Sequence, residues 1–83
     1  MARLLFFGRL ADRAGGRRRE RSLGDDVLSV ADLIAALAAE DAALGDALRD
    51  ISVKYVVNET VVGVDYPIGD DDEIAFLPPA SGG

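Results

Sequence analysis

Apolar residues along this chain fall into two rhythms. Residues 2–7, Ala-Arg-Leu-Leu-Phe-Phe, make a short apolar run that fits a central strand, with a buried helix turn as the alternative that periodicity leaves open. In a strand, alternation sets Leu4 and Phe6 on one face, Leu5 and Phe7 on the other. From residue 30 the period changes. Val30, Leu33, Ile34 and Leu37 recur at i, i+3, i+4 and i+7, with alanines at most intervening positions, so the spacing predicts a helix from Val30 to Glu40. Ser29 is a good N-cap for it, and Asp32 stands at the third helical position, as in a capping box.

Weaker signals fill the remainder. Residues 8–14 form a brief helical turn that Gly15-Gly16 punctuate, and residues 17–23 read as a polar edge strand whose arginines discourage further pairing. A second helical piece is expected around residues 43–49, with Gly45 interrupting it. Residues 53–57 read as a strand, Asn58-Glu59 as a turn, and residues 60–64 as a short strand. Tyr66-Pro67-Ile68-Gly69 leads into an acidic turn, Asp70-Asp71-Asp72, whose acids are expected to point into solvent. Residues 73–77, Glu-Ile-Ala-Phe-Leu, form the last strand, and Pro78-Pro79 end it because neither can donate a ladder hydrogen bond. With Ile74 and Phe76 inward, Ala75 and Leu77 face outward.

The order is β-β-α-β-β with a further strand at the end. It predicts an α+β domain, a ubiquitin-like β-grasp with a mixed sheet and one main helix across one face. Residues 1–78 form that domain, and residues 79–83 form a flexible tail of small residues.

Composition narrows the function more than the fold. The chain has 83 residues, enough for one domain, and its 49% apolar and 29% charged content suits a soluble globular protein. It contains neither cysteine nor histidine, which removes disulfides, thiolate nucleophiles, Cys/His zinc sites and histidine acid–base chemistry. A chain so bare of catalytic side chains is expected to serve another protein, without a metal or bound cofactor of its own. A net charge of −6 argues against a general nucleic-acid binder. The charge is uneven: residues 1–21 hold seven arginines and two acids, the remainder two bases and thirteen acids. Arg17-Arg18-Arg19 with Arg21 has two readings, a phosphate or RNA patch and a solvated hairpin that offsets an acidic body. The hairpin is favoured, since no aromatic residue is interleaved for base stacking. No apolar run is long enough to span a bilayer and no signal-peptide pattern opens the chain, so the cytoplasm is the expected location.

The tail carries the chemistry. Gly82-Gly83 have no side chains, so they can thread a channel too narrow for a Cβ. Pro78-Pro79 stiffen the exit from the sheet, and the segment from Pro79 to Gly83 reaches roughly 16 Å when extended. The reactive group at its tip is the Gly83 carboxylate. Adenylation would give that carboxylate a good leaving group, and sulfur attack would then yield a thiocarboxylate.

Leu4-Leu5-Phe6-Phe7-Gly8, Val57-Asn58-Glu59 and above all the stretch Asp72-Glu73-Ile74-Ala75-Phe76-Leu77-Pro78-Pro79-Ala80-Ser81-Gly82-Gly83 resemble the small subunit of molybdopterin synthase. The resemblance runs the length of the chain. It implies a MoaD-like sulfur carrier whose Gly83, supported by Gly82, is adenylated with ATP by a ubiquitin-activating-like adenylyltransferase. A sulfur donor then makes the 1-thioglycine form. The tail would insert into the large subunit of a heterotetrameric synthase and give its sulfur to the cyclic pyranopterin precursor of the molybdenum cofactor. Phe7, Val61, Leu77, Pro78, Pro79, Ala80 and Ser81 would meet that partner, while nucleic acid and membrane would play no part. The family usually has Asp-Gly-Asp-Glu before the last strand. Asp71 takes the place of that glycine, which leads us to expect a strained left-handed residue. The competing readings are a carrier for thiamine, cysteine or tRNA thiolation, a ubiquitin-like modifier joined through Gly83 to lysines, and an interaction domain with an idle tail.

Overall fold

The expected alternation of the first segment gives β1 (Ala2–Phe6), in which Ala2, Leu4 and Phe6 are buried, Leu5 half-buried and Arg3 exposed. The computed structural model describes residues 1–79 and continues with α1 (Arg9–Ala14), β2 (Arg18–Arg21), α2 (Val30–Glu40), α3 (Ala42–Leu48), β3 (Lys54–Val57), β4 (Thr60–Val62) and β5 (Glu73–Leu77). The five strands form one sheet in the order β2-β1-β5-β3-β4. β1 and β5, the first and last strands, lie side by side and parallel in its centre, and the other pairings are antiparallel. A parallel neighbour needs a long crossover, and the two longer helices between β2 and β3 supply part of it. This is the mixed-sheet β-grasp architecture expected from the element order.

The helices cover one face of the sheet. Leu4, Phe6, Ile74 and Phe76 from the central strands meet Val30, Leu33, Ile34 and Leu37 of α2 and Leu44 and Leu48 of α3 in one core. The Phe6 and Phe76 rings stack with centroids 5.3 Å apart, and Tyr55 sets its edge against Phe76 at 5.9 Å. Such aromatic pairs contribute about 0.5–1.5 kcal/mol beyond the area they bury. The half-buried Tyr55 hydroxyl donates to the Leu48 carbonyl at 2.6 Å, and burial holds its pKa above the ordinary phenol value.

α2 has the bounds that its apolar spacing predicts. The Asp32 N–H donates to Ser29 Oγ at 3.2 Å, while the Asp32 carboxylate reaches one residue beyond the cap to accept from the Leu28 N–H at 3.0 Å. Asp41 ends α2 and also caps α3, accepting from the Leu44 N–H at 3.2 Å. α3 runs unbroken through Gly45. A Cβ there would fall on Ala38 of α2, so this glycine allows the two helices to approach and its poor helix propensity is outweighed by packing.

Three expectations need correction. Asp71 is not left-handed: among the described residues the non-glycine residues with positive φ are Asn58 (47°) and Glu59 (72°), at the centre of the β3–β4 hairpin. Paired positive φ values match the right-handed twist of the flanking strands, which explains why the strain sits there.

Nor do the acids all point into solvent. Asp70 accepts from the Leu23 N–H at 2.7 Å, and Asp72 accepts from the Asn58 side-chain amide and from the Gly69 N–H, both at 2.8 Å. Asn58 in turn accepts from the Glu73 N–H at 3.0 Å, so this lacing ties the hairpin turn to the start of β5.

The arginine segment is only partly a solvated hairpin. Arg17 and Arg18 are exposed, but Arg19 donates to the Ala14 carbonyl and lies 5.7 Å over the Phe6 ring. Arg21 grips Glu40 at the end of α2 with two hydrogen bonds, at 2.8 and 2.6 Å, which raise the pKa of the guanidinium and lower that of the carboxyl. Arg19 and Arg21 are thus half-buried and their guanidinium groups are spent on a carbonyl, a ring face and a helix end, a use of arginine that charge counting alone does not reveal.

Candidate functional site: the tail root and the open sheet face

The face of the sheet turned away from the helices carries a continuous row of aligned positions. Register pairs Leu5 with Ala75, Ala75 with Val56, and Val56 with Val61, so one apolar line crosses β1, β5, β3 and β4. Arg18 of β2 stands opposite Leu5 at its basic end. Val61 is 66% exposed, and Leu5 and Val56 are half-buried. Ala75 points to this face as expected but is only 7% exposed, because its short side chain sits between Leu5 and Val56. It forms the floor of the row and offers little surface of its own.

A second row lies nearer the tail. The Phe7 N–H donates to the Phe76 carbonyl at 3.1 Å, which continues the parallel pairing one residue past β1 and brings Phe7 alongside Leu77. Phe7 is 38% exposed, Leu77 is half-buried, and Lys54 stands opposite Leu77 on β3. The far border is charged. Arg3 pairs with Glu73 at 3.8 Å and lies opposite Glu20, and these residues with Leu5, Arg18 and Arg19 line an open depression of about 650 Å³.

The tail leaves at the Phe7–Leu77 end. Pro78 is half-buried and packs over Gly8, where an added Cβ would come within 2.8 Å of the proline ring. Gly8 also has φ +56°, so two independent constraints demand glycine there. Pro79 is exposed. The root of the tail is therefore held at one end of an apolar face by a contact between the two central strands' extensions.

Of the site residues expected from the sequence, Phe7, Leu77, Pro78 and Pro79 cluster at this exit, and Val61 lies at the end of the first row, on β4. Ala80, Ser81, Gly82 and Gly83 lie outside the described residues. Two residues were missed. Val56 was legible from the alternation of residues 53–57, which places it on the same face as Leu77. Gly8 carried no local signal, because its partner Pro78 is distant in sequence. Among the described residues no group of His, Cys, Asp and Glu is placed to hold a metal ion, and no helix is long and apolar enough to cross a membrane.

A two-layer β-grasp with a C-terminal strand at the centre of its sheet and an apolar face beside the exit is the ubiquitin-like arrangement. The chain belongs to the ThiS family, whose model matches residues 4–83. It is 35% identical over 83 residues to the molybdopterin synthase sulfur carrier subunit of Escherichia coli (strain K12), covering all of both chains. Its structure resembles SAMP1 from Haloferax volcanii, with a TM-score of 0.80 at 27% identity over 99% of this chain and 98% of that one. The Amycolatopsis orientalis BexX/CysO complex contains a chain of the same fold, with a TM-score of 0.80 at 19% identity and complete coverage of both. Sulfur-carrier kinship and a β-grasp fold are thus features of this chain.

Proposed function

We propose that this chain is the sulfur-carrying small subunit of a molybdopterin synthase, with residues 1–78 as its docking domain and residues 79–83 as the delivery arm. The observation that carries this reading is the tail root: β5 runs from the core into Pro78, which is seated on Gly8 beside Phe7 and Leu77. A carrier needs a rigid base that aims a side-chain-free arm, and an apolar face beside the base where the receiving protein can sit. The full-length likeness to the Escherichia coli carrier supports the choice of pathway.

In the proposed cycle the Gly83 carboxylate attacks the α-phosphorus of ATP in a ubiquitin-activating-like adenylyltransferase and pyrophosphate leaves. Sulfur from a donor replaces AMP at the acyl carbon and leaves 1-thioglycine at position 83. The arm then enters the large subunit, where Phe7, Val61, Leu77, Pro78, Pro79, Ala80 and Ser81 contact the partner, and the sulfur passes to the cyclic pyranopterin precursor. Gly82 and Gly83 fit the narrow channels this requires.

Deleting Gly83 tests the proposal. The carboxylate would end about 3.5 Å short of its place in the activating site, and oriented reactions lose rate steeply for errors of about 1 Å. With ATP, adenylyltransferase and a sulfide source, the intact chain should exchange one oxygen for sulfur by mass. The deletion variant should not, with its melting temperature unchanged. Complete thiocarboxylate formation by the deletion variant would overturn the mechanism, and an isopeptide-linked pair of chains would favour a modifier.

A further inference from the structure

The other side of the tail exit is also built for contact. Leu10, Ala47, Val53, Pro78 and Pro79 line a shallow groove of about 150 Å³ between α1, the end of α3 and the tail root, with Arg9, Arg13 and Asp50 at its edge. The turn from Asp50 to Val53 closes one side. Its Val53 N–H donates to the Asp50 carbonyl at 3.0 Å, and its Ser52 N–H donates to the Asp50 carboxylate at 2.8 Å. That doubly closed turn holds Ile51 outward, 99% exposed, in the segment that joins two of the groove's lining residues, Asp50 and Val53. A large aliphatic side chain held wholly in water by a fixed turn contributes nothing to this fold.

The charges point the same way. Arg9 and Arg13 sit at i and i+4 on α1, both exposed, and among the described residues the ion pairs are Arg3–Glu73 and Arg21–Glu40. Asp50 is turned to its own loop backbone, which leaves the two guanidinium groups as cations on a protein of net charge −6. The groove is continuous with the proposed docking face, because Pro78 belongs to both and Gly8 beneath it joins Phe7 to Arg9.

We propose that Ile51, Arg9 and Arg13 form the helix-side lip of the tail exit. The occupant is the mouth of the large subunit's tail channel, offering an apolar notch for Ile51 and carboxylates for the two arginines. This rests on the carrier reading and extends it: the partner surrounds the tail root instead of meeting the sheet face alone. Apolar contact would give affinity, and exposed cation pairing would give a salt-dependent association rate.

The test measures binding of the full chain to the large subunit across a range of salt concentrations. Ile51→Asp should weaken affinity tenfold or more without changing the melting temperature. Arg9→Glu combined with Arg13→Glu should weaken it and flatten its salt dependence. Leu77→Asp serves as the control for the carrier reading. Lost binding by Leu77→Asp with full affinity and an unchanged salt slope in the other variants would overturn the lip alone. No binding by the unaltered chain would overturn the carrier reading and the lip together. Full affinity of the lip variants for the large subunit with loss of thiocarboxylate formation would move the surface to the activating enzyme and refute this assignment.

Discussion

Gly8 shows how one residue fixes the root of the segment proposed to carry sulfur. Its φ of +56° costs a glycine little, while another L-residue would be strained by roughly 1 kcal/mol or more. Its missing side chain also leaves the space that Pro78 occupies. A Gly8→Ala variant should therefore lose about 1–3 kcal/mol of stability, read by denaturant unfolding. The more telling readout is the tail. If Pro78 must lift away, thiocarboxylate formation should slow by more than the loss of folded protein explains. A variant with normal stability and normal sulfur loading would show that neither the conformation nor the contact matters.

At the scale of elements, each locally signalled segment forms the expected kind of structure, but the two weaker strands are shorter than expected, β2 spanning Arg18–Arg21 and β4 ending at Val62. α2 declared itself through its period, its alanines and its Ser29 cap, and its observed bounds are the expected ones. β5 is equally plain, since a short alternating run ended by Pro78-Pro79 has few other uses, whereas the apolar run of β1 also fits a buried helix turn until the sheet places it. The harder features all depend on contacts distant in sequence. Gly45 reads as a helix interruption until Ala38 is seen against it, and Asp70 reads as a solvent-facing acid until it accepts from Leu23. The same limit hid Gly8 beside Pro78, whereas Phe7 and Leu77 followed from alternation and Val61 from the family resemblance. Gly45→Ala is the sharp test of the helix packing. On propensity alone it should stabilise α3 by about 1 kcal/mol. Against Ala38 it should instead destabilise by about 1–3 kcal/mol as the helices are forced apart. Stabilisation measured by thermal unfolding would place the helices farther apart than they stand in this structure.

In the proposed reading the molecule separates holding itself together from meeting its partner, and the sheet is the dividing plane. Ile74 and Phe76 point from β5 into the helices and are fully buried, whereas Leu77 points from the same strand to the open face and is half-buried. Two substitutions on one strand should therefore have opposite signatures. Ile74→Asp buries an unpaired carboxylate, so the variant should unfold or lose several kcal/mol, and any loss of function would follow from that. Leu77→Asp leaves its carboxylate reachable by water and beside Lys54, so stability should fall by no more than about 1 kcal/mol. Its effect should appear in association, because an apolar contact beside the tail root would be replaced by a charge that the partner must desolvate. Calorimetric binding to the large subunit, with circular dichroism to verify folding, separates the two cases. Folded Leu77→Asp that binds as tightly as the unaltered chain would remove the open face from the docking surface. Unfolding of Leu77→Asp would return the residue to the core.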